Sequence, residues 1–481
     1  MKCRIAVITD LHYSRSAPVV ATRQGQWGAV LLRRTVERLN RYIQPDVVVV
    51  LGDLLDDPHE TELLTELKAI LDRLKCPWLA IPGNHDPAPA TFYEIFPRVE
   101  YLDVNGVRLV GFADEERPEW NAYRNAAGFE QMARAAAGHA GPLVALQHVP
   151  VGEPRRETPY GYTNCAEVAD ALRRYGYRLA LSGHYHKGRE LQPSEGFSTM
   201  TIPALCEAPY SFALVTMDGD EVKSEVLSHQ LPSSWKLNDY HSHTQFAYCA
   251  EDVSLARSRA FAALMGVNQL AFTEHSGQLY FDRKPYWQCV FGERGIHETE
   301  GRQERMADYW REAAGCRSES VLTGLEADAD YHGNLVAQPA DIERADLVVG
   351  AVHWLPALQP PDRAAAEFLR ITDRLCRNNI DVLAHPFRVF RRSGQPVPAS
   401  LFAPVISILR ETGVAAEINF HSNEPEPEFF AGCLRAGVKI SFGSDAHALY
   451  EVGEFHPHLA LLAEIGYDGD VHDILIPAIR I

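Results

Sequence analysis

No run of about 18 apolar residues occurs in this 481-residue chain, which argues against a transmembrane helix and a membrane partner. Basic charge is scarce: 46 Lys plus Arg stand against 64 Asp plus Glu, for a net charge of −18. That balance speaks against a general binder of phosphate backbones. Divalent cations held by the protein would offset some of the charge locally, so an anionic substrate remains admissible. Cysteine is sparse, odd in number and unpaired in pattern: the nine residues at 3, 76, 165, 206, 249, 289, 316, 376 and 433 form no CxxC. Reduced thiols in a cytoplasm are the simplest expectation. A cleavable signal peptide is not expected either, because Met1-Lys2-Cys3 runs directly into an apolar stretch that ends at Asp10, a candidate ligand. Internal repeats and low-complexity tracts are also missing.

What the chain has in quantity is histidine and carboxylate, placed where short apolar runs meet turns. One cluster comprises Asp10-x-His12, Gly52-Asp53-x-x-Asp56, Gly83-Asn84-His85-Asp86, His148 and Gly183-His184-x-His186. A second comprises His241-x-His243, His275, Glu326, His353, His385 and Asp445-x-His447. Such density, with several pairs spaced i, i+2, is what multinuclear hydrolytic metal sites require. At 46% hydrophobic residues the chain is also too long for one core, and two domains fit the two clusters.

The first half alternates strand-length apolar runs with amphipathic stretches. Arg4–Thr9 leads into Asp10, Val47–Leu51 into Gly52-Asp53, Trp78–Ile81 into Gly83, Leu143–Leu146 into His148, and Leu179–Leu181 into Gly183. Between two of these, Leu63, Leu64, Leu67, Ile70, Leu71 and Leu74 recur at helical spacing, which predicts a helix over Glu60–Leu74. Ligands at the carboxyl ends of strands are the expected arrangement of a layered α/β fold. Strands over Ser198–Leu227, with a turn at Asp218-Gly219-Asp220, would close this domain. Leu231-Pro232-Ser233-Ser234 is the linker candidate and sets the expected domains at 1–232 and 233–481.

In the second half seven units repeat the same grammar. Leu237–Tyr240 precedes His241, Gln269–Phe272 precedes His275, Val321–Leu325 precedes Glu326, Leu347–Val352 precedes His353, and Asp381–Ala384 precedes His385. Ala415–Asn419 contains Glu417, and Val438–Phe442 precedes Asp445. Strands separated by helix-length segments predict a closed parallel barrel with its chemistry on the carboxyl-end face.

The five ordered blocks of the first half resemble the calcineurin-like metallophosphoesterases over about residues 1 to 230. The resemblance is nearest to the class acting on cyclic nucleotides and other small diesters, on the Gln147-His148-Val149-Pro150 block. It implies a four-layer α/β/β/α sandwich in which Asp10, His12 and His186 hold one metal, Asn84, His148 and His184 hold another, and Asp53 bridges them. A bridging carboxylate sets a spacing of about 3.5–4 Å, suited to activating water and clamping phosphate oxygens. His85 would hydrogen-bond the phosphate or protonate the leaving oxygen. Asp56 and Asp86 are expected to orient ligands and turns. Tyr13, Arg15 and Tyr185 are close enough in sequence to touch substrate, although packing or solvation is the commoner fate of such residues.

The second half, with His241-Ser-His243-Thr, Thr273-Glu274-His275, Gly324-Leu-Glu326, Val352-His353, Ala384-His385-Pro386 and Gly443-Ser-Asp445-Ala-His447, resembles the polymerase and histidinol phosphatase family over about residues 236 to 481. The resemblance implies a (β/α)7 barrel with a trinuclear site. His241, His243, Glu326 and Asp445 would hold one metal, and Glu326, His353 and His385 a second, with Glu326 bridging. His275 and His447 match a third position, but this chain has Cys249 where many members carry a histidine; a thiolate can ligate zinc, and a buried small residue is the equal alternative. Glu417 is expected to be structural or to support the site. Arg388, ahead of Arg391 and Arg392, is the candidate phosphate clamp, with Arg283 and Lys284 weaker ones.

Both resemblances imply metal-dependent hydrolysis of phosphate esters. The expected cofactors are divalent Mn, Fe or Zn, two in the first site and two or three in the second. The expected partner is a small phosphorylated substrate, with a diester opened by the first domain and the monoester hydrolysed by the second. The alternatives are a nuclease or nucleic-acid end-processing enzyme, which the acidic balance disfavours, and one catalytic domain with a regulatory second domain.

Overall fold

A computed structural model describes residues 2–16, 18, 20–219, 221–297 and 305–480. The chain forms two compact units, Met1–Gln230 and Leu231–Ile481. Leu231 opens the second unit, where its backbone N–H donates to Met265 O (2.8 Å). Among the described residues no helix is long and apolar enough to cross a membrane.

The strands of the first unit are β1 Lys2–Ile8, β2 Val47–Val50, β3 Trp78–Ala80, β4 Leu102–Val104, β5 Val107–Gly111, β6 Glu115–Arg117, β7 Asn121–Tyr123, β8 Leu143–Leu146, β9 Tyr177–Ser182, β10 Arg189–Ser194, β11 Phe197–Thr201, β12 Ser211–Asp218 and β13 Glu221–Ser228. Its helices are α1 Gly28–Arg38, α2 Glu62–Leu71, α3 Pro89–Ile95, α4 Ala126–Ala136 and α5 Cys165–Arg174. One large sheet runs β13-β12-β1-β2-β3, a second β10-β11-β9-β8-β5-β4, and β6 and β7 pair separately.

Alternation within strands builds the layers. Cys3, Ile5, Val7, Val47, Val49 and Leu51 of the first sheet share one buried cluster with Leu109, Val144, Leu146, Leu179 and Leu181 of the second. The outer face of the second sheet, through Val110, Ala145 and Ala180, packs on Met132 and Ala135 of α4 and Val168 and Leu172 of α5. Ala6, Ile8, Val48 and Val50 on the first sheet's other face are buried as well, as are Leu31, Leu32 and Val36 of α1 and Leu63, Leu64, Leu67 and Leu71 of α2. Four consecutive valines in β2 suit a parallel strand covered on both faces.

Two details differ from the expectation. The helix expected over Glu60–Leu74 is shorter, because Arg73 and Leu74 already close three-residue turns on Ile70 O (3.1 Å) and Leu71 O (2.9 Å). The segment Ser198–Leu227 divides between the sheets: β11 pairs with β9, while β12 and β13 pair antiparallel beside β1. Asp220, the third residue of the expected turn, lies outside the described residues.

In the second unit β14 Asn238–Ser242, β15 Gln269–His275, β16 Val321–Asp328, β17 Val348–Ala351, β18 Val382–Leu383, β19 Ala415–Ile418 and β20 Ile440–Phe442 form a seven-stranded sheet in chain order. Every neighbouring pair is parallel. The helices are α6 Leu255–Met265, α7 Ser276–Tyr280, α8 Arg283–Trp287, α9 Met306–Ala314, α10 Pro339–Arg344, α11 Pro361–Cys376, α12 Arg388–Arg392, α13 Phe402–Thr412, α14 Pro427–Ala436 and α15 His456–Glu464.

The sheet nearly closes, and it closes through the first and last motifs. Asp445 N–H donates to His241 O (2.7 Å), His243 N–H donates to Ala446 O (3.1 Å), and Ser242 bridges Ala446 in parallel. Closure of this kind removes the exposed edges of an open parallel sheet.

Candidate metal centres

In the first unit the candidate ligands occupy the turns that leave β1, β2, β8 and β9, together with the loop after β3. Asp10, His12, Asp53 and His184 all lie in the left-handed region, with φ of 54°, 45°, 51° and 66°. Non-glycine residues held there cost about 1–3 kcal/mol each and persist only where the surroundings fix them. Here backbone bonds do so: Asp10 N–H donates to Gly52 O (3.0 Å) and His12 N–H to Asp53 O (2.9 Å). Two glycines admit the close approach. A Cβ on Gly83 would stand 2.2 Å from Asp53 Oδ1, and one on Gly183 would stand 1.9 Å from Thr9 Oγ1.

Donor atoms sharing an ion at about 2.0–2.2 Å stand about 3–3.5 Å apart, which gives a test of fit. Asp53 Oδ2 lies 3.5 Å from His12 Nε2 and 3.2 Å from His148 Nε2. His186 Nε2 lies 3.1 Å from His12 Nε2 and 3.5 Å from Asp10 Oδ1. His148 Nε2 lies 3.1 Å from both Asn84 Oδ1 and His184 Nδ1. The outward nitrogens are committed elsewhere: His148 Nδ1 to Leu51 O (2.7 Å), His186 Nδ1 to Glu207 Oε1 (3.0 Å) and His12 Nδ1 to Asp56 Oδ1 (3.2 Å). That fixes which ring nitrogen faces the cluster. Imidazole, carboxylate and amide donors so arranged fit two divalent cations around Asp53.

The electrostatics follow from packing opposite charges together out of water. Burial opposes ionisation of Asp53 and Asp10, yet the facing imidazoles hold Asp53 well below the ordinary carboxylate range and Asp10 at about 2. Burial likewise opposes charge on His148 and His186, but the carboxylates lift both to about 9. His184, desolvated and beside His148, falls to about 3.

The neighbours sort as follows. His85 N–H donates to Asp53 Oδ1 (2.8 Å) and its Nδ1 faces Asp56 O (3.0 Å), which leaves Nε2 available to substrate. Asp56 accepts from Arg23 (2.8 Å) and pairs with His12, so it orients a ligand. Asp86 accepts from the backbone N–H groups of Leu54, Leu55 and Gly83 (2.9, 3.1 and 2.9 Å) and ties the loop after β2 to the loop after β3. Tyr13 and Arg15 are both engaged with Glu66, whereas Tyr185 lines the mouth. That mouth is a cavity of about 620 Å3 whose walls include Arg23, Trp120, Tyr160 and Lys187 beside His85, His184 and His186. Arg23 and Glu207 carried no signal in the sequence, since each is isolated from the motifs.

In the second unit the barrel strands bring Glu326 to the centre. Glu326 Oε1 lies 2.8 Å from His385 Nε2, 3.3 Å from His353 Nε2 and 3.6 Å from His241 Nε2. Asp445 Oδ1 lies 2.8 Å from His243 Nε2 and 3.6 Å from His241 Nε2. His241 Nε2 is buried and has no hydrogen-bond partner among the described residues. An orphaned imidazole nitrogen between two carboxylates fits a cation held by His241, His243, Glu326 and Asp445.

A third group joins His243, His275 and His447, whose donor atoms lie within 4.8 Å of one another. Cys249 stands at its edge, with Sγ 3.7 Å from His275 Nε2 and 3.5 Å from Gln278 Nε2. Burial pushes its thiol up to about 12.

Carboxylates hold the outward ring nitrogens here too. His241 Nδ1 faces Glu417 (2.7 Å), His353 Nδ1 faces Asp328 (2.6 Å) and His243 Nδ1 faces Glu274 (3.2 Å). Glu274 belongs to the Thr273-Glu274-His275 block, which by itself assigns it no role, and Asp328 lies outside the quoted blocks. Asp328 has a signal, since a residue two after Glu326 on one strand must share its face.

Arg388, the candidate phosphate clamp, is 5% exposed and opens α12 directly after Phe387, which lies in the left-handed region at φ +73°. Its Nη2 lies 2.6 Å from His385 Nε2 and 3.1 Å from His353 Nε2, and its Nη1 pairs with Asp445 Oδ2. The guanidinium therefore occupies the space between the residues expected to hold a second cation, and those residues as arranged do not fit an ion. Arg391 is paired with Glu426, and Arg283 and Lys284 are exposed on α8.

Comparison with known proteins places the first unit. Residues 3–188 match the family model described as calcineurin-like phosphoesterase. A probable phosphatase of Acetivibrio thermocellus is 30% identical over 154 residues, 30% of this chain and 60% of that protein. One from Edwardsiella ictaluri is 31% identical over 163 residues, again 60% of its length. The chain thus spans about 60% of the length of these relatives. One from a Shewanella species is 25% identical over 240 residues, 48% of this chain and 84% of that protein.

Among solved structures, a dimetal phosphatase of Danio rerio aligns with a TM-score of 0.38 and 16% identity, covering 47% of this chain and 98% of its own. A Listeria monocytogenes protein assigned as a histidinol phosphatase aligns at 0.37 and 12%, covering 46% and 99%. The family match and the order of the motifs agree: the N-terminal region of this chain, residues 3–188, is a calcineurin-like metallophosphoesterase domain, a family that implies divalent metal cofactors.

Proposed function

We propose that the protein is a metal-dependent phosphoric ester hydrolase with two centres. The first hydrolyses a phosphodiester, a cyclic nucleotide or another small diester, and the second hydrolyses a phosphomonoester, so that the two act in sequence. One observation carries the reading: each unit sets a single buried carboxylate, Asp53 or Glu326, within 3.6 Å of at least two imidazole nitrogens whose opposite nitrogens are held by hydrogen bonds. Divalent cations held there supply Lewis acidity and bring the pKa of water to about 7.

The residues of the first unit do the rest. Arg23 and Lys187 at the mouth attract an anionic phosphate despite the negative net charge. Asn84 presents a neutral amide oxygen to the cluster, while His85, anchored through its backbone to Asp53, turns Nε2 toward the substrate as the group for proton exchange with the leaving oxygen. Trp120 is 56% exposed and stands perpendicular to Tyr160 at 6.3 Å between centroids; Tyr160 in turn meets the His184 ring at 4.4 Å. Two rings at right angles beside the cluster suit a planar base, which supports the cyclic nucleotide among the small diesters.

The test feeds cyclic nucleotides and simple diesters to the cation-loaded full chain and follows monoester and free phosphate separately. Asp53→Asn is expected to stop monoester formation. Glu326→Gln is expected to let monoester accumulate without phosphate. Phosphate released by Glu326→Gln at the wild-type rate from every diester turned over would end the sequential reading, and undiminished diester hydrolysis by Asp53→Asn would end the assignment of the first centre.

A further inference from the structure

We propose that in the second unit the guanidinium of Arg388 permanently takes the place of a cation. The barrel centre then works with a fixed monovalent charge between His353 and His385 and a divalent ion at His241, His243, Glu326 and Asp445. The inference rests on the reading of this unit as a phosphoesterase and specifies how it is built.

Three observations carry it. First, the position needs positive charge, since Glu326, Asp328, Glu417 and Asp445 are all buried at 0–1% exposure within the same cluster. Isolated buried carboxylates are costly, and a guanidinium stays protonated at any pH the protein meets.

Second, both terminal nitrogens of the arginine are already engaged, while its buried Nε has no hydrogen-bond partner among the described residues. His353 Nδ1 donates to Asp328 Oδ1 (2.6 Å), so its Nε2 carries a lone pair and accepts from Arg388 Nη2 (3.1 Å). Nη2 also faces His385 Nε2 (2.6 Å), while Nη1 meets Asp445 Oδ2 and His421 O (3.3 Å). A cation bound by His353 and His385 would need the same lone pairs in the same space.

Third, the side chain has little room to leave. His385 at φ +27° and Phe387 at φ +73° set the turn, and Phe387, Val389 and Phe390 are each 5% exposed or less.

The chemistry changes accordingly. A guanidinium carries a fixed positive charge but does not ionise water. Water activation would fall to the His241 and His243 side, while the arginine side, with Nη1 and Nη2 engaged by Asp445, His421, His353 and His385, supplies a fixed charge rather than a ligand for phosphate.

Crystals of the full chain soaked in Mn2+ decide the matter by anomalous diffraction. The expected map has a peak among His241, His243, Glu326 and Asp445 and none between His353 and His385. A peak ligated by both His353 and His385 in the wild type overturns the inference and leaves the phosphoesterase reading intact. No peak anywhere in the second unit overturns both.

Elemental counting after dialysis against Mn2+ gives an independent readout. Arg388→Met, folded by circular dichroism, is expected to bind one more Mn2+ per chain than wild type, and an unchanged count contradicts the proposal. Should that variant not fold, the wild-type map still decides.

Discussion

Glu417 holds two ligand candidates at once: Oε1 stands 2.7 Å from His241 Nδ1, and Oε2 accepts the backbone N–H of His385 (2.6 Å). A single carboxylate on β19 thereby aligns the ring that follows β14 and the backbone that follows β18. Carboxylates behind metal-binding histidines commonly contribute 10–100-fold in affinity. Glu417→Gln is therefore expected to weaken Mn2+ binding in the second unit by about tenfold or more, measured by competition with a chelating dye. Unchanged binding would assign Glu417 to the structure alone.

Asp86 should matter for stability as much as for the site. Its carboxylate accepts three backbone N–H groups from Leu54, Leu55 and Gly83, and the residue is only 6% exposed. Asp86→Ala leaves those donors without a partner and is expected to lower the stability of the first unit by about 3 kcal/mol. Urea unfolding followed by a probe in that unit checks it; a loss under about 0.5 kcal/mol would mean that other groups take over.

Two glycines offer a paired test of independence between the centres. A Cβ on Gly183 would stand 1.9 Å from Thr9 Oγ1 and 2.7 Å from Asp10 Oδ2, and one on Gly443 would stand 1.9 Å from Glu417 Oε1. Gly183→Ala is expected to cut diester hydrolysis by about 100-fold while sparing monoester hydrolysis, because small misplacements of reacting groups have effects of that size. Gly443→Ala should do the reverse. Equal loss of both activities in either variant would contradict two separate sites.

Trp120 should discriminate among diesters rather than drive the chemistry. Stacking of a base on an aromatic side chain is worth about 1–3 kcal/mol, so Trp120→Ala is expected to raise KM for base-bearing diesters by about tenfold with little change in kcat. Alkyl diesters should be unaffected. An equal rise in KM for both classes would remove the base from the proposed substrate.

Chelation should silence both centres. Protein dialysed against a strong chelator is expected to lose diester and monoester hydrolysis together and to regain both on adding Mn2+. Activity that survives complete removal of cations would refute a metal-dependent mechanism.

Much of this architecture is legible in the linear chain, because its signals are local. Strand-length apolar runs that lead into or carry a His, Asp or Glu mark β1, β2, β8 and β9 and the seven barrel strands, and residues spaced i, i+2 share a face whatever the strand later packs against. The i, i+2 rule also places Asp328 on the same face of β16 as Glu326.

What the sequence by itself determined is the set of ligand types and their placement at the carboxyl ends of strands, since backbone period and hydrophobic pattern act over a few residues. What only the tertiary structure decided is which residues meet across distance. Glu417 supports His241 across 176 positions of sequence, β12 and β13 join the first sheet while β11 joins the second, and Arg388 turns inward to fill a place expected for an ion. Those outcomes depend on sheet curvature, barrel closure and the left-handed turn at Phe387, where burial and charge across the whole unit, not local propensity, set the lowest free energy.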